Sequence, residues 1–189
     1  MRVITGSARG VVLESLPGND VRPTIDRVKE AVFSIIQFEI EGRRVLDLFA
    51  GSGQLGIEAL SRGAEHAVFI DSDRDAVQVI RRNLEKTKLS DKATLLQTDA
   101  LSYLRTGKAK FDAAFLDPPF NRGFLEKVLP LLAPLMNAGG VIVCESPFEE
   151  KLLEEAGGYK LHREYKYGKT KITVYRDTAE NTAEGGVVL

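Results

Sequence analysis

From residue 43 onward the sequence alternates between short apolar runs and segments of helical periodicity, a pattern that few folds accommodate. The predicted strands cover residues 45–49, 67–71, 93–97, 111–117 and 141–145. Strands that are apolar along most of their length are typical of a parallel sheet whose two faces are both covered by helices. We therefore expect an α/β fold with a doubly wound, mostly parallel sheet.

The two ends of the chain show different patterns. Residues 1–21 combine short apolar runs with turn-forming glycines and predict a small N-terminal β extension. Residues 159–167 and 170–176 flank a Gly-Lys turn and predict an antiparallel hairpin, which brings the expected sheet to seven strands. The main domain would then cover 22–176, and the polar segment 177–189 is expected to be a disordered tail.

The composition excludes several classes of protein. Cys144 is the only cysteine, and two histidines lie far apart, so neither an intrachain disulfide nor a cysteine-based or histidine-based metal site is expected. No run of about 18 apolar residues exists that would span a membrane, and the first six residues lack the apolar core of a signal peptide. We expect a cytoplasmic protein that uses no metal.

The charge is distributed unevenly although the net charge is only −1. Residues 157–176 contain six lysines and arginines against a single glutamate. Such a segment fits a polyanionic partner, but it also fits a solvated, lysine-rich hairpin, and composition alone does not separate the two.

A glycine-rich turn follows the first predicted strand. Gly51 and Gly53 allow the backbone to approach a ligand where a Cβ would clash, and the helix that follows directs its N-terminus at that ligand. With Gly56 the spacing also matches the dinucleotide-binding fingerprint, and a plain strand-to-helix turn is a third interpretation. Asp47 favours a cationic ligand group, such as an amine, over a pyrophosphate.

Two more strands end near acidic residues. Asp71, followed by Ser72, closes the second strand, where a carboxylate can accept hydrogen bonds from both hydroxyls of a ribose. Asp99, followed by Ala100, closes the third strand and can accept from the amine of an adenine. For Asp71 and Asp99 the alternative role is the cap of the next helix, as expected for Asp73.

The fourth predicted strand ends in Asp117-Pro118-Pro119-Phe120. Two prolines fix the backbone and offer only acceptor carbonyls, so they predict a stiff corner with an acid and an aromatic ring at its tip. The Asp117 carboxylate and the Pro118 carbonyl can accept the two hydrogens of a nucleobase amine, while Phe120 stacks on the base. A purely structural proline turn is the alternative.

Taken together, Asp47-x-Phe49-x-Gly51-x-Gly53 and Asp117-Pro118-Pro119-Phe120 resemble the S-adenosylmethionine-dependent amino-methyltransferases. Residues 22–31 and 167–172 look like the terminal signatures of the bacterial family that methylates guanine N2 in 16S ribosomal RNA. This resemblance covers residues 1–176. It implies a Rossmann-like class I methyltransferase fold and direct methyl transfer from a sulfonium to an unpaired guanine.

The resemblance also implies roles for individual residues and partners. The cofactor S-adenosyl-L-methionine would be bound by Asp47, Phe49, Gly51, Gly53, Asp71, Ser72, Asp99 and Ala100. Catalysis would involve Asp117, Pro118 and Phe120, and the RNA substrate would also contact Pro119, Arg22, Arg27 and Lys169. The expected partner of this monomer is 16S ribosomal RNA in the small ribosomal subunit or an assembly intermediate.

Three other functions remain open at the level of the sequence. The same reaction could act on adenine N6 in DNA or RNA, or on a protein glutamine, because the Asp-Pro-Pro-Phe motif specifies the type of atom better than the base. A nicotinamide-dependent oxidoreductase would use the glycine fingerprint but leaves residues 117–120 unexplained. A non-catalytic RNA-binding module is the third alternative.

Overall fold

The computed structural model describes residues 1–16, 26–119 and 123–178, which are organised around one large sheet. Arg22 and Phe120 lie outside the described residues, as does the Arg27 side chain. The strands are β1 (Arg44–Asp47), β2 (His66–Asp71), β3 (Ala93–Gln97), β4 (Phe111–Leu116), β5 (Met136–Pro147), β6 (Glu155–Ala156), β7 (Tyr159–Tyr167) and β8 (Thr170–Asp177). The helices are α1 (Asp26–Ile35), α2 (Gln54–Ser61), α3 (Arg74–Thr87), α4 (Ala100–Thr106) and α5 (Phe124–Leu132). No described helix has the length and apolar character needed to cross a membrane.

The strand order is β3-β2-β1-β4-β5-β8-β7-β6, with β1 to β5 parallel and β6 to β8 antiparallel. The chain builds outward from β1 to β3 and then crosses to β4 on the other side of β1. Doubly wound sheets bind ligands outside the carboxyl ends of the strands at such a switch point. In the β1–β4 register Asp47 lies beside Phe115, so Asp117 follows two residues beyond it at the same edge.

Two apolar clusters cover the faces of the sheet. One packs α1, α2 and α3 against it and includes Phe33, Ile57 and Phe69, while the other packs α4 and α5 against it and includes Val128. Helices on both faces explain why the central strands are apolar along most of their length.

The predicted Rossmann-like α/β fold is confirmed, with one more strand than expected. The extra strand, β6, has only two residues, too few to show a periodic pattern. β5 begins at Met136, before the predicted residue 141, and a register shift against β4 lies at its start. The helix after β4 is short, because α5 ends at Leu132 and a 3-10 turn with Pro134 follows.

Residues 1–16, here called the N-terminal arm, pack against α1 and α2. The fully buried Glu58 carboxylate accepts hydrogen bonds from the backbone N–H groups of Ile4 (2.8 Å) and Thr5 (3.0 Å). The fully buried Lys29 ammonium lies 3.8 Å from Glu58 and donates to the carbonyl of Arg2 at 2.6 Å. Within the arm, a single antiparallel bridge joins Arg2 and Val12, where the sequence predicts a β extension.

The C-terminal hairpin forms as predicted, with β8 ending at Asp177, one residue inside the predicted tail. Residues 179–189 of that tail lie outside the described residues, as do residues 17–25 of the N-terminal region.

Two glycines of the arm allow a matched test of its docking. Gly6 and Gly10 both have a left-handed φ, but a Cβ on Gly6 would lie 1.7 Å from the Ser61 carbonyl oxygen, whereas a Cβ on Gly10 would meet nothing within 4 Å. We expect Gly10→Ala to lower the unfolding free energy by about 1 kcal/mol through backbone strain. Gly6→Ala should lower it by about 3 kcal/mol, because the arm must leave α2. Urea denaturation measures both values, and equal losses would contradict this account of the docking.

Candidate functional site

A cleft opens at the carboxyl ends of β1 and β4, at the switch point of the sheet. Its walls combine the strand ends, the start of α2 and the N-terminal arm. The lining residues are Met1, Ser15, Leu16, Asp47, Phe49, Ala50, Gly51, Ser52, Gln54, Leu55 and Asp117. Thus Asp47 and Asp117, which sequence analysis assigned to two different ligands, border one cavity.

The glycine loop, residues 49–53, connects β1 to α2 along the floor of this cleft. Gly51 (φ 54°) and Gly53 (φ 78°) both have left-handed backbones. A Cβ on Gly51 would meet nothing within 4 Å, so this position leaves the backbone open to a ligand. Gly56 has a different role, because a Cβ there would lie 2.3 Å from the Phe69 ring of β2. The third glycine of the fingerprint therefore allows α2 to pack closely on the sheet.

Asp47 is the most deeply buried carboxylate of the cleft, with 2 % of its surface exposed. Its Oδ2 accepts a hydrogen bond of 2.9 Å from the backbone N–H of Gly56. The pKa of Asp47 is raised to about 7, mainly by burial and to a smaller extent by the charges of Asp117 and Asp71, while the hydrogen bond from Gly56 acts in the opposite direction. At neutral pH this group is therefore close to its midpoint, and a cationic ligand would shift it to the charged form.

Asp71, at the end of β2, holds the glycine loop in place. Its two carboxylate oxygens accept from the backbone N–H groups of Gly51 (2.8 Å) and Asp73 (2.9 Å). Burial raises its pKa, and these two hydrogen bonds act in the opposite direction. The backbone N–H of Ser72 also lowers the pKa of Asp71 by hydrogen bonding, and because a carboxylate has about four acceptor positions, at least one remains for a ligand such as a ribose. Asp71 does not line the cleft, but its hydrogen bond from Gly51 connects it to the glycine loop, which does.

The structure shows the expected cap at Asp73 and gives Asp99 the capping role that was considered as its alternative. Asp99 accepts from the backbone N–H of Ser102 at 2.9 Å and begins α4, while Asp73 accepts from Asp75 at 2.7 Å and begins α3. Asp99 lies at the exposed carboxyl end of β3, two strands away from β1, and Ala100 is buried behind it. Neither residue lines the cleft.

The corner after β4 directs Asp117 toward the cleft. Asp117 is half-buried and lines the cavity, Pro118 is buried, and Pro119 is exposed. The charge of Asp117 contributes to the raised pKa of Asp47, so the two carboxylates lie close enough to interact. A ligand amine at Asp117 would therefore lie next to the cavity bounded by the glycine loop.

Sequence analysis missed two polar side chains near the cleft. Gln54, the first residue of α2, is 7 % exposed, lines the cleft, and its Oε1 has no hydrogen-bond partner among the described residues. Asn83, fully buried on α3, donates to the carbonyls of Glu14 (3.1 Å) and Ser52 (2.9 Å) and accepts from the Glu14 N–H at 2.8 Å. It thus fixes the arm to the glycine loop. An amide on the apolar face of an amphipathic helix was the available signal for Asn83.

The basic segment 157–176 contributes fewer free charges than its composition indicates. The buried Lys171 pairs with Glu164, and Arg176 forms two hydrogen bonds of 2.7 Å with Glu39. Lys169 is exposed at the β7–β8 turn, beyond the carboxyl end of β5, since its neighbour Thr170 pairs with Pro147. Lys169 therefore lies at the same edge of the sheet as the cleft, although it does not line it.

Comparison with known proteins places these features in a family. Residues 1–176 match the family described as conserved hypothetical protein 95. The ribosomal RNA small subunit methyltransferase D of Escherichia coli K12 is 35 % identical over 186 residues, which cover 97 % of this chain and 93 % of that protein.

Solved structures agree with the same assignment. A hypothetical protein from Thermus thermophilus superposes with a TM-score of 0.79 at 30 % identity, covering 93 % of this chain and 99 % of the other. The 16S rRNA N2 G1207 methyltransferase of Thermus thermophilus, solved in complex with AdoMet and guanosine, superposes with a TM-score of 0.69 at 28 % identity. That match covers 85 % of this chain and 44 % of the other.

The raised pKa of Asp47 predicts how stability depends on pH. Because the folded pKa of about 7 lies above the ordinary value of 3.8, the folded state binds more protons between these limits. The stabilisation by protonated Asp47 is therefore present below about pH 4 and is lost as the pH rises through 7. We expect Asp47→Asn to flatten the decline of unfolding free energy between pH 4 and 8 in denaturation curves. The exposed Asp91→Asn should leave the decline unchanged, and an unaltered slope in Asp47→Asn would contradict the assignment.

Proposed function

Because this chain belongs to the family described as conserved hypothetical protein 95, we propose that it transfers a methyl group from S-adenosylmethionine to the exocyclic N2 of one guanine in 16S ribosomal RNA. The chain is an S-adenosylmethionine-dependent rRNA methyltransferase. The choice of guanine N2 is supported by a related protein of that specificity, solved with guanosine. The observation that supports the reaction best is that Asp117 and the glycine loop border the same cleft.

The residues of the cleft fit this cofactor. S-adenosylmethionine supplies an activated methyl group on a positively charged sulfonium, together with an ammonium group. Buried acceptors suit such a cation, and the cleft offers the Asp47 carboxylate and the Gln54 Oε1, which has no partner among the described residues. Gly51 leaves the loop open at this point. We assign the methionine part to Asp47, Phe49, Gly51 and Gly53, the ribose to Asp71 and Ser72, and the adenine to Asp99 and Ala100.

Asp117 would act by positioning and by electrostatic stabilisation. An exocyclic amine has its lone pair delocalised into the ring, so it is a weak nucleophile until its hydrogens are oriented. The Asp117 carboxylate and the Pro118 carbonyl accept those two hydrogens and turn the lone pair toward the methyl group. Positive charge then develops on the nitrogen, and the Asp117 carboxylate stabilises it. The proton leaves after transfer, so Asp117 need not be a strong base.

The remaining predicted residues would hold the RNA. Phe120 stacks on the target base, which must be unpaired or flipped from its helix to enter the cleft. Pro119, which is exposed, would also contact the RNA. Arg22, Arg27 and Lys169 bind phosphates. The partner would be the small ribosomal subunit or an assembly intermediate in the cytoplasm, and the chain would act as a monomer.

The alternative functions receive less support from the site. A nicotinamide dinucleotide would bring a pyrophosphate toward the glycine loop, where the carboxylates of Asp47, Asp71 and Asp117 repel it. Adenine N6 or a protein glutamine presents the same kind of amine to Asp117. These substrates are distinguished by a methyl-transfer assay with defined RNA, DNA and protein.

The proposed specificity is tested by mapping methylated guanines in small-subunit RNA by mass spectrometry. A deletion strain should lack one N2-methylguanine, and the restored protein should return it. Return of the modification with the wild-type protein and not with Asp117→Asn would attribute it to this site. An unchanged map in the deletion strain would contradict the function.

We expect Asp117→Asn to lower kcat by about 10²-fold to 10³-fold, because the variant loses the negative charge that stabilises the developing cation. The Kd for S-adenosylhomocysteine, measured by calorimetry, should change less than about threefold. The exposed Asp75→Asn on α3 is the matched control and should keep the wild-type rate. A large loss of cofactor affinity with unchanged kcat would assign Asp117 to the cofactor instead.

Binding of the cofactor should also depend on pH. A cationic ligand requires ionised Asp47, whose pKa in the free protein is raised to about 7 by burial. Affinity for S-adenosylhomocysteine, which keeps the ammonium group, should therefore increase as the pH rises through 7 and level off above about pH 8. Calorimetry in buffers of different ionisation enthalpy should detect proton release at pH 6.5. An Asp47→Asn variant that binds as tightly as the wild type would contradict this role.

A further inference from the structure

An exposed aromatic ring lies at the edge of the sheet that carries the cleft. Phe148 directly follows β5 and is 38 % exposed, although most large apolar side chains of the described residues are buried. Its backbone N–H donates to the carbonyl of Lys169 at 2.9 Å, which fixes the residue against the β7–β8 turn. The backbone at this residue is therefore held in place, while part of the side chain remains open to solvent.

A lysine ammonium contacts this ring, although the next residue in the chain, Glu149, is an exposed acid. The Lys166 ammonium lies 3.7 Å from the centroid of the Phe148 ring, within the range of a cation–π contact. Lys169 is exposed on the adjacent turn. An aromatic surface bordered by lysines is the arrangement by which proteins bind single-stranded nucleic acid, because bases stack on the ring and phosphates pair with the cations.

The strand register gives the separation of Phe148 and Asp117 along the strand direction. Leu116, the residue before Asp117, pairs with Cys144 of β5, and Phe148 lies four residues farther along. At ~3.3 Å per strand residue, Phe148 is ~10 Å beyond Asp117, along the strand direction. That distance corresponds to about three stacked nucleotides at ~3.4 Å each. The surface is thus separate from the pocket for the target base and within reach of the same RNA strand.

We propose that Phe148 and Lys166 form a second nucleotide site, in which an unpaired base within a few positions of the target guanine packs on Phe148 while Lys166 binds a phosphate. The proposal rests on the proposed function, because it takes RNA to be the substrate. The site would hold the RNA strand at a position ~10 Å from the flipped base. It would raise affinity for RNA without taking part in methyl transfer.

Fluorescence provides a direct test because the chain contains no tryptophan. Phe148→Trp creates a single fluorophore at the proposed site, and stacking of a base on the indole should quench it when a single-stranded RNA oligonucleotide is added. The control is Phe38→Trp. Phe38 is 90 % exposed and neighbours Glu39, which binds Arg176 at the opposite edge of the sheet. Quenching at position 148 and none at position 38 is the expected result.

Kinetics separate stacking from general packing. We expect Phe148→Leu, which keeps an apolar side chain without a π face, to raise KM for RNA about tenfold, as loss of one base stack predicts. Phe148→Tyr should restore the wild-type KM, and kcat and the KM for S-adenosylmethionine should not change in either variant. Lys166→Ala should reduce the salt dependence of RNA binding, because one phosphate contact is lost.

The outcomes distinguish this proposal from the proposed function. Wild-type methylation of RNA with no quenching in Phe148→Trp, or an equal KM for Phe148→Leu and wild type, would overturn the second nucleotide site and leave the function intact. Quenching by RNA in a protein that methylates no RNA would overturn the function and support the site. Quenching by isolated ribosomal proteins but not by RNA would assign the surface to a protein partner and overturn the proposal.

Discussion

The central constraint in this structure is the burial of the Asp47 carboxylate at the end of β1. A carboxylate removed from water is costly unless hydrogen bonds or a cation compensate for it. Here one backbone N–H from Gly56 offers partial compensation, and the pKa rises to about 7. The part of the desolvation cost that this hydrogen bond does not offset is what a positively charged ligand would compensate for. The free protein is therefore less stable at neutral pH than the same fold with that ligand bound.

A second set of buried charges has a purely architectural role. Lys29 and Glu58 are both fully buried, and both form hydrogen bonds with the backbone of the N-terminal arm. Through Asn83 the arm is then joined to Ser52 in the glycine loop. The cleft is consequently shaped by three segments that are distant in sequence, and a disturbance of the arm would reach the cofactor loop without changing any residue of the loop.

Sequence alone predicted the larger elements because periodicity, glycine positions and prolines all indicated the same fold. It placed β3 at its observed limits, and it predicted the hairpin from residues that surround Gly168. It did not reveal β6, because two residues have no period, nor the early start of β5, where the pairing with β4 shifts. The capping and binding roles of Asp99 were indistinguishable in sequence, and the structure shows the cap.

Site residues whose roles depend on tertiary contacts were harder to predict from the sequence. Asp47 and Asp117 were found because each ends a strand, and parallel strands bring such ends together. Gln54 was missed because what makes it notable is a buried Oε1 without a hydrogen-bond partner among the described residues. A sequence does not show which hydrogen bonds a side chain lacks. Lys171 and Arg176 were counted as part of a basic surface, but Lys171 pairs with Glu164 on the neighbouring strand and Arg176 pairs with the distant Glu39.

The position of Met1 has a practical consequence for work with this protein. Its side chain lines the cleft, and its sulfur accepts a hydrogen bond of 3.6 Å from the Ser52 hydroxyl of the glycine loop. A peptide fused ahead of Met1 would therefore begin beside the glycine loop, next to the cavity. Purification handles and immobilisation linkers therefore belong at the opposite terminus.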